Sequence, residues 1–166
     1  MADNIENLKT AFAGESQANR KYLAFAKQAQ KDGYPVIARL FRATAEAETI
    51  HALGHLKALE MIKTTEDNLE AAIGGETYEF TQMYPPMWSL AEETKHKARI
   101  MFKYAMEVEK VHAGLYEKAL AAVRSGNDLG EVEIYLCPVC GHLELGKPGV
   151  KCPVCNSVAD KYERIS

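Results

Sequence analysis

The chain lacks several features that would each have marked a class of function. No apolar run is long enough to span a bilayer, and the N-terminus MADNIENLKT is too polar for a secretory signal. A cytoplasmic protein with no membrane anchor is therefore expected. No stretch concentrates Lys and Arg. The 20 basic and 23 acidic side chains leave a net charge of -3, so a phosphate backbone finds no basic stripe and nucleic acid is not an expected partner. There is no Gly-x-Gly-x-x-Gly loop, so a nicotinamide nucleotide would have to be handled by another protein. Cysteine is missing from the whole N-terminal part. Its four copies fall between positions 137 and 155 as Cys137-Pro-Val-Cys140 and Cys152-Pro-Val-Cys155. In a reducing compartment that clustering points to a metal rather than to disulfides.

What is present up to about residue 125 is helical in character. Asp3 and Asn4 can cap a first helix, whose apolar stripe includes Leu8, Phe12, Tyr22, Phe25 and Ala29. Gly33 stops it. Pro35 suits the first turn of a second helix running to about Lys63, and Thr64-Thr65-Glu66-Asp67 caps a third. The third is expected to bend at Met83-Tyr84-Pro85-Pro86. A fourth covers roughly residues 97–124 and ends at Ser125-Gly126-Asn127. Beyond Gly126 the short Gly-, Pro- and Cys-rich runs read as small strands and turns around a metal.

Sliding the chain along itself by 61 residues exposes a repeat. Gly14-Glu15 falls on Gly75-Glu76, Phe41 on Phe102, Glu48 on Glu109, His51 on His112, and Lys57-Ala58-Leu59 on Lys118-Ala119-Leu120, with an offset read as constant. The helices thus read as two copies of one hairpin. Glu15 lies 18 residues before Gly33 and Glu48 lies 15 after it, within about one turn of the same height on antiparallel helices.

One Glu-x-x-His on a helix is commonplace on a solvated face. Two copies at a fixed offset, each with a glutamate at matching height upstream, are not. Buried carboxylates are costly unless paired or bound to metal, and the i, i+3 spacing puts both side chains of each motif on one face. One Glu from each of two helices and Glu-x-x-His from each of the other two is the ligand pattern of di-iron carboxylate bundles. Glu15, Glu48, His51, Glu76, Glu109 and His112 are therefore candidate ligands for two metal ions. Position 18 is Ala where its counterpart is Glu79, so Glu79 adds a seventh candidate on one side only. It offers one iron a choice between Glu79 and His51. His55 and His96 have no such setting. The paired Cys-x-x-Cys motifs make a tetrahedral thiolate site of Cys137, Cys140, Cys152 and Cys155. Spacing alone would favour structural zinc; Cys-Pro-Val-Cys-Gly with Tyr135 nearby favours iron, a one-electron carrier.

The motifs AGESQANRKY, EAETIHA, GETYEFTQMYP, EVEKVHA, YLCPVCG and CPVC together resemble the rubrerythrin family along essentially the whole chain. The resemblance implies a mainly α protein: a ferritin-like four-helix bundle of two repeated hairpins (residues 1–126), a linker (127–133) and a small β- and turn-rich rubredoxin-like domain (134–166). It implies a non-haem di-iron centre on the seven ligands above and one iron on the four cysteines, with zinc a possible substitute. Tyr22 and Tyr84 match tyrosines that line the family's di-iron pocket, and together with Glu79 they are the candidate catalytic residues. The implied activity is reduction of hydrogen peroxide to water in oxidative stress protection, with electrons from rubredoxin or an NAD(P)H-dependent reductase. The rival readings are a ferroxidase that handles iron and an electron-transfer protein without peroxidase turnover. A bundle about 40 Å long would hold a domain tethered at one end away from its own chain's site. The resemblance answers this with a head-to-tail homodimer or larger assembly, in which each rubredoxin-like domain serves the other chain.

Overall fold

The computed structural model describes residues 3–166. The class is the expected one: mainly α, two helical hairpins followed by a small three-stranded sheet with a four-cysteine cluster. The contacts divide the chain after Lys63. Among the described residues no helix is long and apolar enough to cross a membrane.

In the first unit, α1 (Asn4–Lys31) and α2 (Pro35–Ala58) pack as a hairpin. The Asp3 side chain accepts the Glu6 N–H at 2.9 Å and starts α1. Gly33 ends it with φ of 84°, a left-handed turn that lets the Tyr34 N–H reach back to the Ala29 carbonyl at 2.9 Å. Pro35 then opens α2, where its missing N–H costs nothing. Between the helices runs a seam of buried alanines: Ala26 and Ala29 on α1, and Ala38, Ala45 and Ala52 on α2. The seven-residue spacing of the last three keeps one stripe facing α1. Asn19 crosses the seam, its Nδ2 donating to the Ala45 carbonyl at 2.7 Å and to Thr49 Oγ1 at 2.8 Å.

The helix α2 stops at Ala58, short of the expected Lys63. Residues 59–63 read LEMIK, all good helix formers. Even so, Glu60 turns left-handed with φ of 55°, and the Met61 N–H bonds back to the Leu56 carbonyl at 3.3 Å.

The second unit begins with α3 (Thr65–Tyr78), whose first turn is capped by Thr64 Oγ1 accepting the Asp67 N–H at 3.1 Å. A five-residue π-helical segment, Glu79–Met83, leads into α4 (Tyr84–Glu93), and after a turn α5 (Arg99–Arg124) returns along them. Arg124 ties the end of α5 back to Glu66, at 2.7 Å, and Glu70 of α3. The bend expected at Met83–Pro86 takes the form of this π turn, and Pro85 and Pro86 lie in the first turn of α4.

That π turn corrects the constant offset. It adds one residue to the second copy, so beyond it the repeat runs at 62 rather than 61. The turn after α1, with Gly33 at φ 84° and a bond from Tyr34 to Ala29, is matched by Lys95 at φ 52° and a bond from His96 to Ala91 at 2.8 Å. Buried Ala29 is matched by buried Ala91. The stretch from the left-handed residue to the phenylalanine is one step shorter in compensation, seven from Lys95 to Phe102 against eight from Gly33 to Phe41, so Phe41 again falls on Phe102. The extra residue is what makes Tyr84 the equivalent of Tyr22. Each tyrosine ring lies 6.2 Å from the matching phenylalanine, Phe41 or Phe102.

After α5 the chain turns back to form β1 (Ile134–Leu136), β2 (Leu143–Leu145) and β3 (Glu163–Ile165), an antiparallel sheet of order β2-β1-β3. Tyr135 pairs with Glu144 on one side and Arg164 on the other. Three-residue strands bury little. The core here is Cys137, Cys140 and Cys152 together with Val108 of α5, packed round by Tyr104, Val154, Cys155 and Tyr162.

Candidate metal centres

Each hairpin builds the same small constellation. In the first, His51 Nδ1 stands 2.9 Å from Glu48 Oε2 and 3.8 Å from Glu15 Oε1. In the second, His112 Nδ1 stands 2.8 Å from Glu109 Oε2 and 3.8 Å from Glu76 Oε1. Within each triad the donor atoms all lie within 4.8 Å of one another. The Glu-x-x-His spacing supplies two donors from one turn, and the opposite helix supplies the third. The two triads differ in setting: the His51 side chain is 56% exposed and that of His112 only 19%.

Burial, then the charge of Glu109, raises the Glu76 carboxyl above its ordinary pKa, with His112 only partly opposing. Burial and the charge of Glu76 do the same to Glu79. This is the electrostatics of carboxylates gathered without a countercharge, which a bound cation would supply. Glu79 lies within the field of Glu76 and His112 but outside their triad of donor atoms. Tyr84 lies in the field of the same group: burial first, then Glu79, Glu109 and Glu76, raise its hydroxyl, which therefore stays protonated. Tyr22 packs with Phe25 and Phe41 in the first hairpin.

The four cysteines converge as expected, with Cys137 and Cys155 sulfurs 3.6 Å apart and those of Cys140 and Cys152 3.5 Å apart. The two loops that carry them are copies of each other at an offset of 15. The Cys137 N–H bonds to the His142 carbonyl and the Cys152 N–H to the Ser157 carbonyl, both at 2.8 Å. Gly141 with φ of 92° and Asn156 with φ of 60° make the same left-handed turn. Burial alone would push the Cys137 thiol up. The Ser157 hydroxyl and the N–H groups of Val139 and Cys140 outweigh it and bring the thiol down to about 6. Cys152 is likewise lowered against its burial, by the Cys155 N–H, Tyr162 and the Val154 N–H. Cys140 is raised by burial. N–H and O–H groups aimed at sulfur are what a thiolate ligand set calls for.

A small domain tethered at one end of the bundle is expected out of reach of its own chain's ligands. The structure does the opposite within its second unit. The Gly141 carbonyl lies 3.1 Å from His112 Nε2, and a Cβ built on Gly141 would be 3.7 Å from Val108 Cγ1. Helix α5 runs on from His112 to Arg124, roughly 18 Å. Residues 125–133, extended, span roughly 30 Å, enough to bring the cysteine loops back to the level of His112. Gly141, Ser157 and Tyr162 were not singled out as functional in the sequence. The 15-residue repeat of the cysteine loops was the available signal, for it puts polar His142 and Ser157 at equivalent loop-closing positions.

A sequence profile of the Rubrerythrin family matches residues 6–120. Rubrerythrin-2 of Clostridium acetobutylicum is 36% identical over 171 residues, covering 94% of this chain and 93% of that protein. Nigerythrin of Nitratidesulfovibrio vulgaris is 39% identical over 177 residues, covering 98% and 86%. A solved structure of nigerythrin in its fully reduced, all-ferrous state superposes with a TM-score of 0.59 at 36% identity, over 99% of this chain and 88% of that one. The donor chemistry fits the metals of such proteins: carboxylate and imidazole for a di-iron centre, four thiolates for a rubredoxin-like iron. The chain belongs to the rubrerythrin family of oxidoreductases, with a di-iron centre and a four-cysteine iron as its cofactors.

Proposed function

We propose that this protein reduces hydrogen peroxide to water and that electrons reach the carboxylate–imidazole centre through its own four-cysteine site. The observation that carries this reading is the contact between His112 Nε2 and the Gly141 carbonyl. It joins a metal-binding cysteine loop directly to a candidate ligand of the other centre, and an iron-storing protein has no use for such a junction. Glu15, Glu48, His51, Glu76, Glu79, Glu109 and His112 would hold two irons, and Cys137, Cys140, Cys152 and Cys155 a third. Residues 1–126 would then form the di-iron domain and residues 134–166 the electron-transfer domain. When bound, the iron pair supplies the two electrons that cleavage of the O–O bond requires, without release of a radical.

The side chains do the remainder. Nδ1 of each histidine faces its glutamates and would hold a cation there, so that the ring proton would sit on Nε2. In His112 that proton is donated to the Gly141 carbonyl, which fixes the tautomer and the ring plane. Glu79, when not holding metal, carries protons to the departing water, two per peroxide. Tyr84, kept protonated by the carboxylates around it, donates a hydrogen bond into the same space. Tyr22 takes the matching place in the first hairpin. Large apolar side chains left exposed there, among them Leu40 and Ile50, support a homodimer or larger assembly. The electrons come from outside, from a rubredoxin or an NAD(P)H-dependent reductase, in the cytoplasm.

The test supplies electrons but no iron. Iron-loaded protein, freed of unbound metal and kept reduced by methyl viologen radical, should consume peroxide catalytically at two electrons each. If consumption stops unless Fe(II) is added, the protein is a ferroxidase.

A further inference from the structure

The two cysteine loops share a backbone path and differ in the side chain that closes them. In each, the N–H of the first cysteine bonds to the carbonyl of the closing residue, His142 or Ser157, after a left-handed Gly141 or Asn156. The closing side chains take different partners. His142 is buried, and its Nδ1 lies 2.9 Å from the Tyr162 hydroxyl. Ser157 is half-buried, and its hydroxyl oxygen lies 3.1 Å from Cys155 Sγ and 3.4 Å from Cys137 Sγ. Those two sulfurs belong to different loops and stand 3.6 Å apart, so the hydroxyl sits against one edge of the sulfur cluster. Four sulfurs about 2.3 Å from a tetrahedral ion lie about 3.8 Å from one another. The edge is thus already close to the length that a bound ion sets, and Ser157 keeps both neighbours on loading. Between free thiols and a hydroxyl either group can donate. A metal-bound thiolate only accepts, and the hydroxyl has a single proton. Loading therefore fixes the direction: the Ser157 O–H donates to sulfur, chiefly to the nearer Cys155.

We propose that Ser157 sets the redox potential of the four-cysteine iron by donating a hydrogen bond to the Cys155 thiolate, shared with Cys137. Ser157 acts through the two ligands and is a positioning residue, not a ligand itself. The inference rests on the reading above, in which iron occupies the cysteine site and carries electrons. The couple involved is one electron, ferric to ferrous, with no ligand lost and no proton moved. The ferrous state leaves more negative charge on sulfur, so a hydrogen bond donated there favours reduction. The position of the hydroxyl is held by the main chain: the Ser157 carbonyl accepts the Cys152 N–H at 2.8 Å, which ties the residue to the loop whose sulfur it serves. That backbone bond does not involve the side chain, so the hydroxyl can be removed with the loop closure left in place. The effect belongs to one loop only, because the equivalent position in the other is His142, whose ring pairs with Tyr162.

The experiment has two arms on the full-length protein. In the iron-loaded form, Ser157→Ala should lower the equilibrium constant for reduction about fivefold, a fall of about 40 mV in midpoint potential at 59 mV per tenfold for a one-electron couple. The sulfur-to-iron absorption should move to longer wavelength, because the sulfur loses a donor. Ser157→Thr keeps the hydroxyl and should recover most of the fall, which a role in loop packing alone does not require. The second arm needs no variant to fold. In a crystal structure of the zinc-loaded wild type, the Ser157 oxygen should remain at hydrogen-bonding distance from Cys155 Sγ. An unchanged or raised midpoint in Ser157→Ala, a Ser157→Thr midpoint no higher than that of Ser157→Ala, or a hydroxyl turned away from sulfur in the zinc-loaded protein would each overturn the proposal. Iron-loaded wild type that develops no ferric–thiolate colour would instead overturn the iron reading, and the tuning with it.

Discussion

Cys152→Ala abolishes iron binding at the cysteine site and unfolds residues 134–165 while the helices persist. The effect is expected to be large because the metal ligands are also the core. Cys137 and Cys152 are fully buried, Cys140 nearly so, and the only other fully packed side chain in the cluster is Val108 from α5. Strands of three residues cannot bury enough apolar surface to order themselves, and folds this small depend on a metal or a disulfide. Apparent binding free energies at structural thiolate sites are about 10–16 kcal/mol, more than such a sheet could draw from packing. Removing one ligand sacrifices much of that. Hydrogen exchange should show protection lost across β1, β2 and β3 but kept in α1, α2, α3 and α5. The visible colour should disappear, and far-UV circular dichroism should retain its helical signal. If β1 stays protected in metal-free Cys152→Ala protein, the metal is not what holds the sheet.

His112→Ala and His51→Ala give different losses although the two histidines have the same ligand geometry. Each variant takes the imidazole from a triad whose Nδ1 to glutamate distances are nearly identical. Each should impair di-iron loading and peroxide reduction severely, by about a hundredfold or more, as loss of a ligand exceeds the 10- to 100-fold cost of losing a supporting group. His112 contacts the cysteine loop of its own unit. In protein loaded with excess iron, His112→Ala should therefore also slow electron transfer from the four-cysteine iron, whereas His51→Ala should leave that step comparatively intact. Rapid-mixing spectroscopy separates the two, because the colour of the ferric–thiolate site reports the internal step and peroxide consumption reports the whole. Equal slowing of the internal step in both variants would remove the Gly141 contact from the account.

The candidate ligands were legible in the sequence because burying a carboxylate demands a partner. Two glutamates and a histidine cannot be brought together across a hairpin without leaving the i, i+3 and matching-height marks that the repeat made visible. The cysteine pairs were legible for a similar reason, since four thiolates around one cation require two tight loops. Features decided by competition among weak forces were harder to read. Nothing in LEMIK announces the left-handed turn at Glu60. Nothing in EFTQM requires a π turn, and the prolines that hinted at a bend are compatible with the first turn of a new helix. The extra residue of that turn shows itself only through its consequences: Tyr84 in place of Met83 opposite Phe102, and Lys95 in the left-handed role of Gly33. The return of the cysteine loops to α5 depends on the path of residues 125–133, whose composition sets their reach but not their direction. Tyr162 lies 20 residues from His142, and only the folded sheet brings them into contact.

The most direct test of the central claim mixes the fully reduced, iron-loaded protein anaerobically with hydrogen peroxide, and separately with dioxygen, in a stopped-flow instrument. The signal is the growth of the ferric–thiolate absorption at the four-cysteine site. The account predicts rapid growth with peroxide, much slower growth with dioxygen, and loss of the rapid phase in Glu79→Ala. Growth no faster with peroxide than with dioxygen would contradict it and leave the protein better described as one that oxidises and passes on iron.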